Sequence, residues 1–132
     1  MRYLLDTNIC IAYLNGSSLN VKRNFLQNSP SEIFLCSIVK AELIYGAMKS
    51  KKVEQNIEKL EQFFKRFGSL PFDDDSSKIY RKIRANLEKS GNIIGPNDLL
   101  IASIALANDM TLVTNNIGEF ERVEGLKIVD WK

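Results

Sequence analysis

Histidine is absent from this chain of 132 residues. Its absence excludes three common kinds of active site: a His general base, a Ser-His-Asp triad and a zinc ion bound by imidazole. An enzyme with this composition must therefore work with carboxylates, with a lysine or tyrosine, or with a metal held by oxygen ligands.

Cysteine is scarce, and long apolar runs are missing. Cys10 and Cys36 each lie inside a short apolar run without the paired spacing of a metal site, so we predict small core residues that form no disulfide. No run of 18 apolar residues occurs, and Asp6 interrupts the first apolar run after a few residues. We therefore expect no membrane span, no secretory signal and a cytoplasmic location.

The rest of the composition is that of a globular domain, with 45% hydrophobic and 26% charged residues. Predicted strands alternate with predicted helices along the chain. This alternation indicates an α/β fold with a central, mainly parallel sheet flanked by helices on both faces, formed as a single domain over residues 1–132. The predicted strands are residues 2–5, 33–37, 68–72, 111–114 and 126–131.

Six helices are predicted from apolar periodicity and from their end signals. Asp6 or Thr7 can cap the first helix, which is predicted over residues 8–14. Ser17 or Ser18 can begin the second helix. Ser37 and Asn97 are expected to cap the third and sixth. The fourth is predicted over residues 51–67, and the fifth follows three aspartates and ends near residue 90.

Three acids do not have the setting of surface charges. Asp6 follows a predicted buried strand, Glu42 lies in an apolar helix, and Asp98 lies in the first turn of the most apolar helix. Taken singly, each has an ordinary structural explanation as a helix-dipole or boundary charge. Together they point to one place, because strand ends and the following helix starts meet at one edge of a parallel sheet.

Carboxylates gathered in one crevice repel each other unless cations neutralise them. Ligation by oxygen alone favours magnesium or manganese. Such a site can activate water and stabilise negative charge on a phosphate, which suits phosphodiester cleavage without histidine.

Four sequence blocks carry a family resemblance: "LLDTN", "KAELIYGA", "IGPNDLLIASIAL" and "LVTNNIGEFERVEGLKIVDW". In this order and spacing they closely resemble the PIN-domain ribonucleases, in particular the VapC toxins of bacterial toxin–antitoxin pairs. The segment "TNNIGEFERVEGL" is also similar to the VapC subgroup that cleaves initiator tRNA in its anticodon stem-loop.

The resemblance implies a magnesium-binding catalytic triad of Asp6, Glu42 and Asp98, with manganese as a possible substitute. Many members of the family add a fourth acid after the "LVT" strand. The matching position here is Asn116, which is not acidic, and nearby Glu119 is either its replacement or a residue of a helical turn.

Three further residues of the matching blocks are expected beside the triad. Thr7 and Asn8 can orient Asp6, and Thr114 can support the site from the end of its strand. A helix cap and a strand-end hydroxyl are equally good explanations for them.

Several bases of the fifth helix, namely Lys78, Arg81, Lys82 and Arg84, belong either to a solvated helix face or to a surface that follows RNA phosphates. Three aromatic side chains can stack on bases, although core packing is the expected role of the first two: Tyr45, Tyr80 and Phe120.

The resemblance further implies an RNA substrate, with tRNA expected, a homodimer, and a cognate VapB-like antitoxin whose C-terminal segment occupies the active-site groove. No membrane partner is expected. Two alternatives stay open. One is a PIN domain that binds RNA or a partner without catalysis. The other is a different metal-dependent phosphohydrolase, since Asp6-Thr7-Asn8 faintly resembles the nucleophile loop of haloacid-dehalogenase-like phosphatases.

Overall fold

Five short parallel strands form the centre of the protein in a computed structural model that describes residues Met1–Lys132. They are β1 (Tyr3–Leu5), β2 (Ile33–Cys36), β3 (Gly68–Leu70), β4 (Thr111–Val113) and β5 (Ile128–Val129). Their order in the sheet is β3-β2-β1-β4-β5, and every neighbouring pair is parallel. The predicted mainly parallel sheet is confirmed.

Seven α-helices and one 3₁₀ turn connect the strands. The helices are α1 (Thr7–Leu14), α2 (Leu19–Gln27), α3 (Ser37–Met48), α4 (Val53–Phe64), α5 (Asp74–Ser90), α6 (Pro96–Ala107) and α7 (Ile117–Phe120), and the 3₁₀ turn is Pro30–Glu32. No helix combines the length and the apolar character that crossing a bilayer requires.

The strand order creates a switch point between β1 and β4. The chain moves from β1 to β2 and β3 toward one edge of the sheet, and then returns to β4 and β5 on the other side of β1. Right-handed connections in opposite directions place helices on opposite faces. A crevice therefore opens beyond the carboxyl ends of β1 and β4, where α/β proteins bind their ligands.

The core is one cluster of 30 buried hydrophobic residues around this sheet. α6 contributes the most continuous apolar surface, and the Ser103 hydroxyl within it donates to the Leu99 carbonyl at 2.7 Å. Cys10 and Cys36 are fully buried and free, as predicted. Burial raises the pKa of both thiols, which leaves them protonated at neutral pH.

Two predicted helix caps are wrong. Cys36, not Ser37, occupies the cap of α3, and the Ser37 hydroxyl instead donates to the Leu70 carbonyl at the end of β3. Gly95 occupies the cap of α6, because Pro96 takes the first helical position, where its missing N–H is harmless. Asn97 lies inside the first turn of α6 and caps nothing.

All five strands are shorter than predicted, and the largest differences are in the last strand and the fourth helix. The last strand pairs only over Ile128–Val129, because a turn at Gly125 precedes it and Trp131 folds inward against Tyr3. The predicted helix over residues 51–67 is confined to Val53–Phe64, after which the chain turns toward β3. The 3₁₀ turn and α7 were not predicted, because neither is long enough to show an apolar period.

Candidate functional site

Asp6 follows β1 directly and caps α1. Its side chain is only 5% exposed, and both carboxylate oxygens accept hydrogen bonds. Oδ1 accepts from the backbone N–H of Thr7 and Oδ2 from the hydroxyl of Thr114, each at 2.8 Å. Burial raises the pKa of Asp6, and the negative charges of Glu42 and Glu119 add to this effect against the two hydrogen bonds.

Glu42 reaches the same place from the second turn of α3. Its Oε1 accepts a 2.8 Å hydrogen bond from the Thr7 hydroxyl. Thr7 therefore contacts two acids at once, through its backbone N–H and through its side chain. Asn8 takes no part in these hydrogen bonds and is exposed, so the expectation that it orients Asp6 is not met.

Asp98 enters the site from the first turn of α6 and is half-buried. Its pKa is raised to about 7, first by burial and then by the negative charges of Asp6 and Glu119. Oδ2 of Asp98 and Oε1 of Glu119 both lie beside Gly95. The carboxyl group of Asp98 is therefore the one that holds a proton most readily near neutral pH.

Glu119, on the short helix α7, is the fourth acid of the cluster. Its Oε1 accepts a hydrogen bond from the backbone N–H of Gly95, and its Oε2 accepts one from Nδ2 of Asn116 at 2.6 Å. Partial burial tends to raise the pKa of Glu119, but these hydrogen bonds outweigh it and the pKa lies below its ordinary value. The two residues considered for the fourth position are therefore joined to each other by a hydrogen bond.

None of the four acids forms an ion pair. The ion pairs of the chain lie elsewhere and are all exposed: the N-terminus with Glu32, Arg84 with Glu88, and Lys127 with Asp109. The carboxylates instead accept hydrogen bonds from neutral groups, which hold them in place without neutralising them. A cluster of this kind is destabilised by its own charge until a cation or protons compensate it.

The chemistry of this donor set fits a hard divalent cation, because all the donors are carboxylate oxygens. The side chains are not already arranged around an ion: no group of three or more acidic or cysteine side chains has the geometry to hold a metal.

The bases of α5 are all exposed, but they differ in their partners. Arg84 donates to the hydroxyl of Tyr80 at 2.9 Å and lies 3.7 Å from Glu88. Lys78, Arg81 and Lys82 form no ion pair and remain available to an anionic partner.

Two residues near the acids were missed by the sequence analysis. Gly95 acts through its backbone N–H, which no side-chain pattern reveals. Arg122 donates to the carbonyl of Ile93 and lies close enough to Glu119 to help lower the pKa of that acid. Its place three residues after Glu119, in the segment "EFER", could have indicated that the two side chains are neighbours.

The expected roles of two aromatic residues are reversed. Phe120 is completely buried and cannot stack on a base, whereas Tyr45 is 63% exposed instead of lying in the core. The ammonium group of Lys49 lies 4.7 Å from the centre of the Tyr45 ring. Tyr45 is therefore the aromatic side chain that a partner can reach.

An open groove of about 370 Å³ runs past Glu42 between α1, α3 and α4. Its walls include the partly exposed side chains of Ile11 and Leu14, whose exposed fractions are 43% and 41%. An apolar surface that leads to an acidic cluster can receive an amphipathic segment.

Comparison with known proteins assigns the fold to a family. The profile of the PIN domain matches residues 3–126. This chain belongs to the PIN domain family. The sequence match covers almost the full length, so this PIN domain accounts for nearly the whole chain.

Two relatives of this PIN domain are similar over nearly their whole length. The ribonuclease VapC2 of Rickettsia felis is 46% identical over 132 residues, which cover 99% of this chain and 98% of that protein. The tRNA(fMet)-specific endonuclease VapC of Shigella flexneri is 38% identical over 131 residues, with the same two coverages.

A solved structure gives the same result for the fold. The crystal structure of VapBC2 from Rickettsia felis bound to a DNA fragment from their promoter contains a chain that superimposes on this one with a TM-score of 0.93. That chain is 44% identical, and the alignment covers 100% of both chains. The predicted PIN fold is therefore confirmed.

Proposed function

We propose that this PIN domain is a magnesium-dependent endoribonuclease that acts as the toxin of a VapBC-type toxin–antitoxin pair and inhibits translation and growth. The observation that carries the proposal is a set of four acids at the switch point of the sheet, none of which forms an ion pair. Full-length similarity to ribonucleases named VapC supports the same reaction class.

Asp6, Glu42 and Asp98 would hold the cation, with Mg²⁺ as the expected ion and Mn²⁺ as a substitute. When bound, a divalent cation supplies a Lewis acid that activates water and offsets charge on the phosphate. The protein's part is to hold the carboxylates ready: Thr7 fixes Asp6 and Glu42, and Thr114 fixes the second oxygen of Asp6. Asp98 gives up its proton when its carboxylate is needed as a ligand.

The proposed substrate is tRNA, with the anticodon stem-loop of initiator tRNA as the cleavage site. The name of the Shigella flexneri relative and the "TNNIGEF" segment of this chain support this choice. Lys78, Arg81 and Lys82, with Arg84 in a smaller role, would neutralise RNA phosphates. Such an activity belongs in the cytoplasm, where tRNA is used.

The proposed partner is a VapB-like antitoxin. The similar structure from Rickettsia felis is that of VapBC2 bound to a DNA fragment from their promoter, and the name VapBC2 supports a VapB partner. The groove beside Glu42, lined by Ile11 and Leu14, has the apolar walls needed to bind an antitoxin segment. A homodimer is also proposed for the free toxin, and α2 offers exposed apolar side chains at Leu19 and Leu26.

The test is incubation of the purified protein with total bacterial tRNA and Mg²⁺, followed by mapping of the new RNA ends. Asp6→Asn removes a proposed ligand with little change of shape. Asp109→Asn is the matched control, because Asp109 is exposed and lies before β4, at the opposite edge of the sheet. The proposal expects cleavage that stops with EDTA, is lost in Asp6→Asn and persists in Asp109→Asn.

The alternatives give different results. Equal cleavage by the wild type and Asp6→Asn would mean that another site, or a contaminant, cuts the RNA. RNA binding without cleavage by any of the three proteins would identify a silent binding domain. Release of phosphate from small phosphomonoesters, with intact tRNA, would identify a different phosphohydrolase.

A further inference from the structure

A chain of hydrogen bonds leads from Asp6 to Glu119, which lies beside Asp98. The Thr114 hydroxyl donates to Asp6 at 2.8 Å and accepts the backbone N–H of Asn116 at 3.0 Å. Nδ2 of Asn116 donates to Glu119 at 2.6 Å, and Oε1 of Glu119 lies beside Gly95 together with Oδ2 of Asp98. The acid after β1 is thus connected to the acid of α7 through the segment that follows β4.

Asn116 is the central link of this chain. Its backbone N–H donates to the Thr114 hydroxyl and its side-chain amide donates to Glu119, so one residue holds both side chains. Glu119 has its other oxygen on the N–H of Gly95, the cap residue of α6. Loss of the Asn116 amide would leave Glu119 anchored to Gly95 alone, with Oε2 free to turn away.

We propose that Asn116 is a positioning residue that holds Glu119 against Gly95 and beside Asp98 and so supports cation binding at the candidate metal site. This inference rests on the proposed metal-dependent function. Asn116 itself need not contact the cation, because its amide nitrogen is a donor and is already used by Glu119.

An aspartate at position 116 should weaken cation binding, although it adds a negative charge. An aspartate there would add a carboxylate, which by charge alone should strengthen cation binding. It would also place negative charge where the amide now donates to Glu119 at 2.6 Å. Repulsion would push Glu119 away from Gly95 and Asp98, so Asn116→Asp should weaken metal binding.

The test compares Asn116→Asp and Asn116→Ala with Asn115→Asp and Asn115→Ala in the full chain. Asn115 is the exposed neighbour and donates no side-chain hydrogen bond, so it controls for charge and for local sequence. Mn²⁺ affinity is measured by electron paramagnetic resonance. Loss of a residue that orients a metal ligand typically lowers affinity about 10- to 100-fold, and this loss is expected in both Asn116 variants and in neither Asn115 variant.

A double-variant cycle separates positioning from a general structural role. In a Glu119→Ala background the substitution Asn116→Ala should change Mn²⁺ affinity no further, because the proposed route runs only through Glu119. Equal losses in the presence and absence of Glu119, or unchanged affinity in both Asn116 variants, would overturn the inference. Thermal melting of every variant shows whether it is folded, and Asn116→Ala serves if Asn116→Asp is not.

A metal-free readout distinguishes failure of this inference from failure of the proposed function. The amide resonance of Gly95 in a ¹⁵N-labelled protein without added metal reports its hydrogen bond to Glu119. It should move in both Asn116 variants and stay in place in both Asn115 variants. A Gly95 resonance that does not move in the Asn116 variants overturns the inference. If the resonance moves but the wild-type protein binds no Mn²⁺, both the metal-site role of Asn116 and the proposed function are overturned.

Discussion

The hydroxyl of Thr114 donates a 2.8 Å hydrogen bond to Oδ2 of Asp6, although 108 residues separate them in the chain. The two residues follow neighbouring parallel strands, β4 and β1, at the switch point of the sheet. Both are buried, with Thr114 fully inaccessible. The bond therefore ties the end of one strand to the acid that ends the other, inside the candidate metal site.

Removal of this hydroxyl should destabilise the protein. Thr114→Val keeps the shape but leaves a buried carboxylate oxygen of Asp6 without its donor, which costs about 1–3 kcal/mol in the free energy of unfolding. Thr114→Ser retains the hydroxyl and should recover most of the loss. Urea denaturation measures both variants, and Thr111→Val is the control at a buried threonine of β4 that donates no side-chain hydrogen bond. Equal losses for Val at both positions would show that the bond to Asp6 has no special weight.

Stability without metal should fall as the pH rises from about 4 to about 7. The pKa values of Asp6 and Asp98 are raised in the folded protein, that of Asp98 from 3.8 to about 7. The folded state thus binds more protons than the unfolded state in this window, so the free energy of unfolding decreases as the pH rises. The full decrease is reached above the pKa values of the folded protein. Each such proton contributes a slope of at most about 1.4 kcal/mol per pH unit.

The measurement is urea denaturation in EDTA across this pH range. Asp98→Asn removes the most strongly shifted group, so its stability curve should be flatter than that of the wild type. Asp109→Asn, at an exposed acid, should leave the slope unchanged. A wild-type stability that rises between pH 5 and pH 7 would contradict the assignment of uncompensated charge to the site.

Much of this site could be predicted from the sequence because the order of strands and helices determines where the acids lie. An acid directly after a buried strand, as at Asp6, lies at the carboxyl edge of a parallel sheet wherever the strand is placed. The acids of α3 and α6 follow from the helix starts at the same edge. Prediction of Asp6, Glu42 and Asp98 as one group needed only the alternation of strands and helices.

The remaining features depend on contacts that have no sequence pattern. That Glu119 accepts the N–H of Gly95, while Asn116 donates to Glu119, depends on the geometry of a helix of only four residues. The predicted cap of α6 was wrong because both Pro96 and Asn97 are typical of helix starts. The fixed backbone angle of Pro96 suits the first helical position, so Gly95 is the cap residue. Hydrogen bonds from a backbone N–H are equally invisible in a list of residues.

Magnesium should stabilise the folded protein. A ligand that binds only the folded state adds about 2.7 kcal/mol when its concentration is 100 times the dissociation constant. The melting temperature should therefore rise with Mg²⁺ in the wild type and return to its starting value with EDTA. The rise should be absent or much reduced in Asp98→Asn and normal in Asp109→Asn, and an equal rise in both variants would place Mg²⁺ binding away from Asp98.

The bases of α5 should govern the salt dependence of RNA binding. Each lost phosphate contact lowers the slope of log affinity against log salt by about 0.7–0.9. Lys78→Ala, Arg81→Ala and Lys82→Ala should each show this change when binding to tRNA is measured with the Asp6→Asn background. Arg84→Ala should change the slope less, because its guanidinium already donates to Tyr80.

Lys22→Ala is the control for this series, since Lys22 is an exposed base on α2. The same slope for the wild type, for Lys22→Ala and for all the α5 variants would contradict the proposed RNA surface. The acidic site would then have to bind RNA through other bases.

The most direct test of the central claim is the single-turnover rate of tRNA cleavage as a function of Mg²⁺ concentration. The rate is measured for the wild type, Asp98→Asn and Asp109→Asn, all purified in the same way. The account predicts a rate that saturates with Mg²⁺ in the wild type and in Asp109→Asn, and little or no cleavage by Asp98→Asn at any Mg²⁺ concentration. Cleavage by the wild type in EDTA, or an undiminished rate in Asp98→Asn, would contradict it.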